Sequence, residues 1–472
     1  MTRQRGLALF GAMIAVVGLV CAGIFVGLGP GRGLADEVAG GLLGNGDGGS
    51  TSVSVDGRNG NASGSGSGTG AGQGTGGRGL PHQAAPAASG GWAGTWAAGA
   101  AGAEPGTVHG LPGRSIRNVV HTSIGGTAAR VTLTNLYGTA PLFVAHASIA
   151  VAGGGGPAAV PGTMRRLTFG PSGSASVTVP VGRNAVSDPV ALTVPAGTDL
   201  LLTLYTPAPG GAVTYHSHAQ QTSYLARGDR TEDTSGAAYD TRSVYWRYVT
   251  AVDVENRQAA GTVVAFGDSI TDGIGSSVGS DHRWPDFLAD RVRDSVYGRY
   301  GVVDEGIGGN QVLRDASSTR NGRSGIVRFG EDALGRPGVR SVFVDLGVND
   351  ILHGHESTGA PIVEGLRNLV RQAHAHGVRV VGSTLTPFGA HAGYNATKER
   401  VRDEVNAAIR AGGVFDSVVD FDRVLRDPYA PDRLAPAYDS GDGLHPSDAG
   451  YQAMASAVNL PALLGAHTPA AT

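Results

Sequence analysis

The stretch Val263-Val264-Ala265-Phe266-Gly267-Asp268-Ser269-Ile270-Thr271-Asp272-Gly273 changes character at its first glycine. Its four leading apolar residues read as a buried strand, which Gly267 ends. A serine at such a strand end, flanked by glycine, presents its hydroxyl at the sheet edge with its own N–H free. Downstream, strand and helix periods alternate. The segment after Pro285 is helical, with Leu288 and Val292 on one face, and Ser341–Leu346 is a strand. Ile362, Val363, Leu366, Leu369, Val370 and Ala373 form a helical stripe, followed by the strand 378–382. Val401, Val405, Ala408 and Ile409 mark another helix, 417–421 a strand, and Tyr451, Met454 and Val458 a last helix. Such alternation implies an α/β fold, with a parallel sheet covered on both faces. Sites in these sheets lie at the carboxyl ends of the strands.

Upstream, residues 92–258 show short period-two runs between Gly/Pro turns: Arg130–Thr134, Ser176–Val179, Leu200–Tyr205 and Ser243–Trp246. They predict an all-β sandwich of jelly-roll type. His216 and His218 there share a face if they lie on one strand, but no third ligand candidate is nearby, so both read as surface or structural residues. Residues 36–91 are dominated by Gly, Ser, Ala and Thr and predict a disordered tether. Before them, Arg3 and Arg5 precede an uncharged apolar run, Gly6–Gly29. Residues 1–35 therefore read as a signal peptide or a signal-anchor helix, with lipid attachment at Cys21 a poorer alternative after Val20. Either form places the remainder outside the cytoplasm, secreted or tethered to the outer face of the membrane. Residues 467–472 read as a disordered tail.

Composition excludes several classes. Glycine supplies 78 of 472 residues, and the net charge is −3 with 16% charged residues, so no basic field points to nucleic acid. Cys21 is the sole cysteine, which rules out an intrachain disulfide framework, a zinc ribbon and an Fe–S cluster. Lys398 is the sole lysine, so no other position can form a Schiff base.

Three further segments bear chemistry. In Glu305-Gly306-Ile307-Gly308-Gly309-Asn310 the glycines let a backbone N–H approach a ligand closely. Asp345-Leu346-Gly347-Val348-Asn349-Asp350 puts a carboxamide donor just beyond a strand. In Asp442-Gly443-Leu444-His445-Pro446 an acid precedes a histidine by three residues on a tight turn. A carboxylate so placed can hold the imidazole tautomer while the imidazole takes a proton from a serine. Each segment alone is weak; their order at successive strand ends is far more specific. His353-Gly354-His355-Glu356 has metal-like spacing but reads as a site-rim loop, and no metal is assigned. His374 and His376 fall on the solvated face of a helix. Asp272 and Asp350 adjoin the site and read as loop-orienting or capping residues.

Over Gly261–Leu464 these segments resemble the sequence blocks of the GDSL/SGNH hydrolase superfamily. The resemblance carries over to Ser269 in Gly-Asp-Ser, to Gly309 in the glycine block, to Asn349 in Gly-x-Asn-Asp, and to Asp442 with His445 in Asp-x-x-His. Ile270 stands where the family name has leucine, and Arg283-Trp284-Pro285 is similar to the family's helix start after the nucleophile. With the β-region, the chain resembles larger secreted actinobacterial members and, more distantly, a xylan-esterase-like subgroup. The resemblance implies a flavodoxin-like three-layer α/β/α catalytic domain over 259–466 and ester hydrolysis without a cofactor. On both readings Ser269, His445 and Asp442 are the catalytic set. The Ser269 and Gly309 N–H groups and the Asn349 carboxamide form the oxyanion hole. The expected substrate is an acylated carbohydrate, a lipid or a small acyl ester, and the expected state a monomer. The alternative from another class is a surface polysaccharide-binding protein with a relict hydrolase domain.

Overall fold

The computed structural model describes residues 91–316, 320–354 and 356–465. The expectations for 1–35, for the tether up to residue 90 and for 467–472 lie outside them. No helix of the described residues is long and apolar enough to cross a membrane.

Residues 261–464 build a parallel sheet from β1 (Gly261–Gly267), β2 (Tyr300–Gly306), β3 (Val339–Asp345), β4 (Arg379–Ser383) and β5 (Ser417–Val419), in the order β2-β1-β3-β4-β5. This is the flavodoxin-like order of doubly wound sheets. The register sets the site: Gly267 at the end of β1 pairs with Gly306 of β2 and with Asp345 of β3, so three strands end side by side. Helix α1 (Ser269–Asp272) follows β1 directly. Helices α2 (Trp284–Arg293) and α5 (Asp448–Ala457) pack together, as do α3 (Ala360–Ala375) and α4 (Ala396–Arg410), completing three α/β/α layers. Each buries the face its sequence predicts, Leu288 and Val292 in α2 and Ile362, Leu366, Leu369 and Ala373 in α3. Trp284, Phe343 and Phe421 pack as one aromatic group, with centroids 4.8–6.0 Å apart.

Residues 92–255 form antiparallel sheets of five and six strands around a main apolar core, with a smaller apolar cluster about Leu201 and Tyr224 and smaller three- and two-stranded sheets beside them. Trp96 and Trp246 meet edge to face at 4.9 Å within that core. The antiparallel and α/β regions belong to the same compact unit, Gly79–Thr472. The strand Trp92–Ala97 lies along the open edge of β2, so closely that a Cβ on Gly301 would fall 2.0 Å from the Gly94 carbonyl oxygen. Ser123 Oγ accepts from the Val302 N–H at 3.0 Å, and Gly94 N–H donates to Thr262 Oγ1 at 2.9 Å. The antiparallel region thus covers an edge that would otherwise expose unpaired backbone groups.

Several elements differ from the sequence reading. Residues 243–246 are not one strand: Thr241–Ser243 closes the six-stranded sheet, Val244 turns outward, and Trp246–Arg247 enters the three-stranded sheet. Strand β5 stops at Val419, because the Asp420 side chain accepts from Arg423 N–H and caps a helix at Phe421–Leu425. The helix with Tyr451 and Met454 ends at Ala457, and a further helix, Leu460–Leu464, follows with Asn459 as its cap.

Candidate active site

Ser269 opens α1, whose N-cap Asp268 accepts from Ile270 N–H at 3.1 Å. The nucleophile candidate is thereby held two residues beyond the end of β1. The β1–α1 turn presses on the neighbouring strand end: a Cβ at Gly306 would lie 2.2 Å from Asp272 N. No residue larger than glycine fits there.

His445 comes from the turn before α5. Its Nε2 lies 2.9 Å from Ser269 Oγ, and its Nδ1 lies 2.6 Å from Asp442 Oδ2. The other Asp442 oxygen accepts from Leu444 N–H at 2.9 Å and His445 N–H at 2.8 Å, which locks the carboxylate to the turn. Partial burial pushes the Asp442 carboxyl up, but hydrogen bonds from the His445 ring and these N–H groups outweigh it and hold it below the usual carboxylate range. An ionised Asp442 accepts the Nδ1 proton, so the Nε2 lone pair faces the serine hydroxyl. Residues 176 positions apart thus meet at one rim of the sheet.

Gly309 and Asn349 follow the ends of β2 and β3. Gly309 adopts φ +73°, and a Cβ there would meet Asn321 Nδ2 at 1.9 Å. Among the described residues, the backbone N–H groups of Ser269 and Gly309 donate to no acceptor. Asn349 is buried, yet its Nδ2 has no hydrogen-bond partner. An unmet buried donor costs about 1–3 kcal/mol, so it calls for a functional explanation.

Asp350 fixes the loop that follows the glycine block. Its carboxylate accepts from Val312 N–H at 2.7 Å and Leu313 N–H at 3.0 Å, and burial raises its pKa to about 6. Loop orientation, as read from the sequence, is the contact it makes. Asp272 also orients a loop, accepting from Gly308 N–H at 2.9 Å. Of the two readings open for His216, surface or structural, the structure shows the structural one: it is buried and bonds Asp272 Oδ1 through Nε2 at 2.9 Å. Its strand ends at His216, so His218 is not on the same strand face. His218 instead lies over the glycine block, within 3.1 Å of where a Gly308 Cβ would be.

Glu356 pairs with Arg314 at 2.8 Å, and His374 with Asp416 at 3.0 Å. His355 lies outside the described residues. Among those described, His121, Asp199 and Asp281 alone gather three possible metal-ligand atoms; the His121 ring sits 2.9 Å and 3.1 Å from the two carboxylates.

A serine, an imidazole and a carboxylate in hydrogen-bond sequence, with unmet donors at the adjoining strand ends, define a serine-hydrolase arrangement on a three-layer α/β/α sheet. Residues 265–453 match the GDSL-like lipase/acylhydrolase family model, and this part of the chain is a GDSL/SGNH hydrolase domain. Solved structures similar to part of the chain include a carbohydrate acetylesterase family member from Sinorhizobium meliloti, at 20% identity over 43% of this chain and 99% of that one, TM-score 0.35. A GDSL-like lipase from Bacteroides thetaiotaomicron matches at 20% identity over 41% and 84%, TM-score 0.31. The M. smegmatis aryl esterase matches at 19% over 42% and 95%, TM-score 0.33. No curated protein matches the chain.

Proposed function

We propose that the protein is an extracytoplasmic serine esterase that cleaves carboxylic esters through an acyl-enzyme. The observation that carries this reading is the Ser269–His445–Asp442 chain of contacts, at 2.9 Å and 2.6 Å. His445 Nε2 takes the Ser269 proton as Oγ attacks the ester carbonyl. The resulting oxyanion accepts from the Ser269 and Gly309 N–H groups and from Asn349 Nδ2. Collapse breaks the bond to the alcohol, which leaves with the proton from His445. Water then attacks the acyl-enzyme by the same proton path and restores the serine. Asp442 stays ionised throughout and stabilises the imidazolium. The apolar N-terminal run behind Arg3 and Arg5 supports the extracytoplasmic placement. The substrate classes to be screened are acylated carbohydrates, lipids and small acyl esters.

A fluorophosphonate probe should label Ser269 in the wild-type protein. Hydrolysis should appear in a screen from acetyl to palmitoyl nitrophenyl esters run beside acetylated xylan. Absence of both labelling and hydrolysis sinks the reading. Asn349→Ala should lower kcat by about 10²–10³-fold, the usual effect of losing one oxyanion donor, with KM little changed. Steady-state kinetics on the best ester checks it.

A further inference from the structure

His216 and Asp272 form the most deeply buried imidazole–carboxylate pair among the described residues, and neither belongs to the triad. His216 comes from the antiparallel region; Asp272 ends α1. The His216 Nδ1 lies 2.8 Å from the Gly99 carbonyl oxygen, and Nε2 lies 2.9 Å from Asp272 Oδ1. A carbonyl oxygen and a carboxylate only accept, so both ring nitrogens carry protons. The ring leans on Trp246 at 5.3 Å, sealed from solvent. Burial alone would drive the second proton off, but Asp272, the Gly99 carbonyl and Asp304 outweigh it and raise the ring above the usual histidine range.

The second Asp272 oxygen holds the Gly308 N–H, one residue before Gly309. Asp272 therefore stands between a fixed cation and the turn that presents the Gly309 N–H. Other contacts bring the antiparallel region to the same turn. A Cβ on Gly99 would lie 2.8 Å from Ile307, so that loop is seated directly on the glycine block. Ala101 O accepts from Gly322 N–H at 2.8 Å, next to Asn321, whose carboxamide donates to Gly308 O. Gln220 Nε2 donates to Gly273 O at 2.9 Å, just after α1. Residues of the antiparallel region thus touch the glycine block at Ile307 and hold Gly273 and Gly322, in the segments that flank it.

We propose that His216 is a positioning residue of the esterase site: through Asp272 it holds the Gly308–Gly309 turn so that the Gly309 N–H stays aimed at the developing oxyanion. The antiparallel region is then part of the catalytic apparatus, not only a cover for the β2 edge. This inference rests on the esterase reading above.

The test uses the full chain with 4-nitrophenyl acetate, with thermal unfolding recorded for every variant. His216→Phe keeps a ring against Trp246 but removes both donors. It should lower kcat about tenfold or more, short of the effect of deleting an oxyanion donor, with KM within about twofold. His216→Gln keeps an N–H donor for Asp272 and should recover kcat to within about threefold of wild type. Should His216→Phe fail to fold, Asp272→Asn carries the same test, since it removes the charge without adding bulk and should also lower kcat about tenfold. A smaller kcat loss in a folded variant, a loss matched by an equal rise in KM, or no recovery in His216→Gln overturns the inference. Wild-type protein that neither hydrolyses the ester nor takes a fluorophosphonate at Ser269 overturns the esterase reading itself. Active wild type with an unimpaired, folded His216→Phe variant overturns only the role of His216.

Discussion

Replacing Ser269 with alanine is expected to lower kcat for a short nitrophenyl ester by about 10⁴–10⁶-fold while leaving the unfolding transition almost where it was. The two halves of that expectation have separate physical grounds. In the proposed mechanism only the Oγ bonds the acyl carbon, and among the described residues no other hydroxyl is paired with His445 Nε2. What remains after its loss is attack by water in a site that still has the groups proposed as its oxyanion donors. The Oγ makes a single hydrogen bond, to an imidazole at the protein surface rim, so the folded state loses about 1 kcal/mol or less. The backbone of α1 is untouched, because Asp268 still caps it. Adding His445→Ala to Ser269→Ala should cost little further activity, since residues acting as one unit are strongly non-additive. Turnover within tenfold of wild type in Ser269→Ala, or two large and additive effects, would remove the triad from the account.

How far the sequence carries one to this site depends on the residue. The run from Val263 to Gly267 was legible because four apolar residues ending at glycine have few other interpretations. Asp442 and His445 were legible because three residues on a turn bring both side chains to one side. Strand β2 is absent from the sequence reading, because the Asp304-Glu305-Gly306 end of Tyr300–Gly306 looks like a solvated turn. Both acids are buried. Burial lifts Asp304 to about 7, with Arg283 at 3.1 Å holding it lower than burial alone would, and pushes Glu305 well above the usual range. Tertiary contacts therefore decide the strand against its local pattern. The role of His216 was hidden for a related reason. Its partner lies 56 positions away in another region, and no periodicity signals an ion pair across such a separation. The break at Val244 was equally hidden, since alternation continues through it while the strand changes sheets.

The largest stability effect is expected at Arg328, which the sequence does not single out. Its guanidinium is buried and works as a clasp at the strand ends. One terminal nitrogen donates to Gly267 O at 2.8 Å, the other to Glu305 O at 2.8 Å, and Nε donates to Asn310 Oδ1 at 3.0 Å. Asp332 lies 3.2 Å from the group, and the plane covers the Phe266 ring at 3.9 Å. One side chain therefore joins the end of β1, the end of β2 and the residue after Gly309. Asn310 in turn donates to Asn321 O at 2.7 Å and Arg323 O at 2.8 Å, so the clasp extends through the glycine-block loop. Arg328→Ala leaves three buried acceptors and a buried carboxylate without their donor, and opens a void beside Phe266. Breaking a buried charged pair on one side costs about 3–5 kcal/mol, and denaturant midpoints measured at constant m-value should show a loss of that size. Arg328→Lys should recover less than half of it, because an ammonium group cannot donate along three fixed directions as the planar fork does. A loss below about 1 kcal/mol in Arg328→Ala would mean that water replaces the guanidinium at the strand ends, and that the glycine turn is held by Asp272 and Asp350 instead.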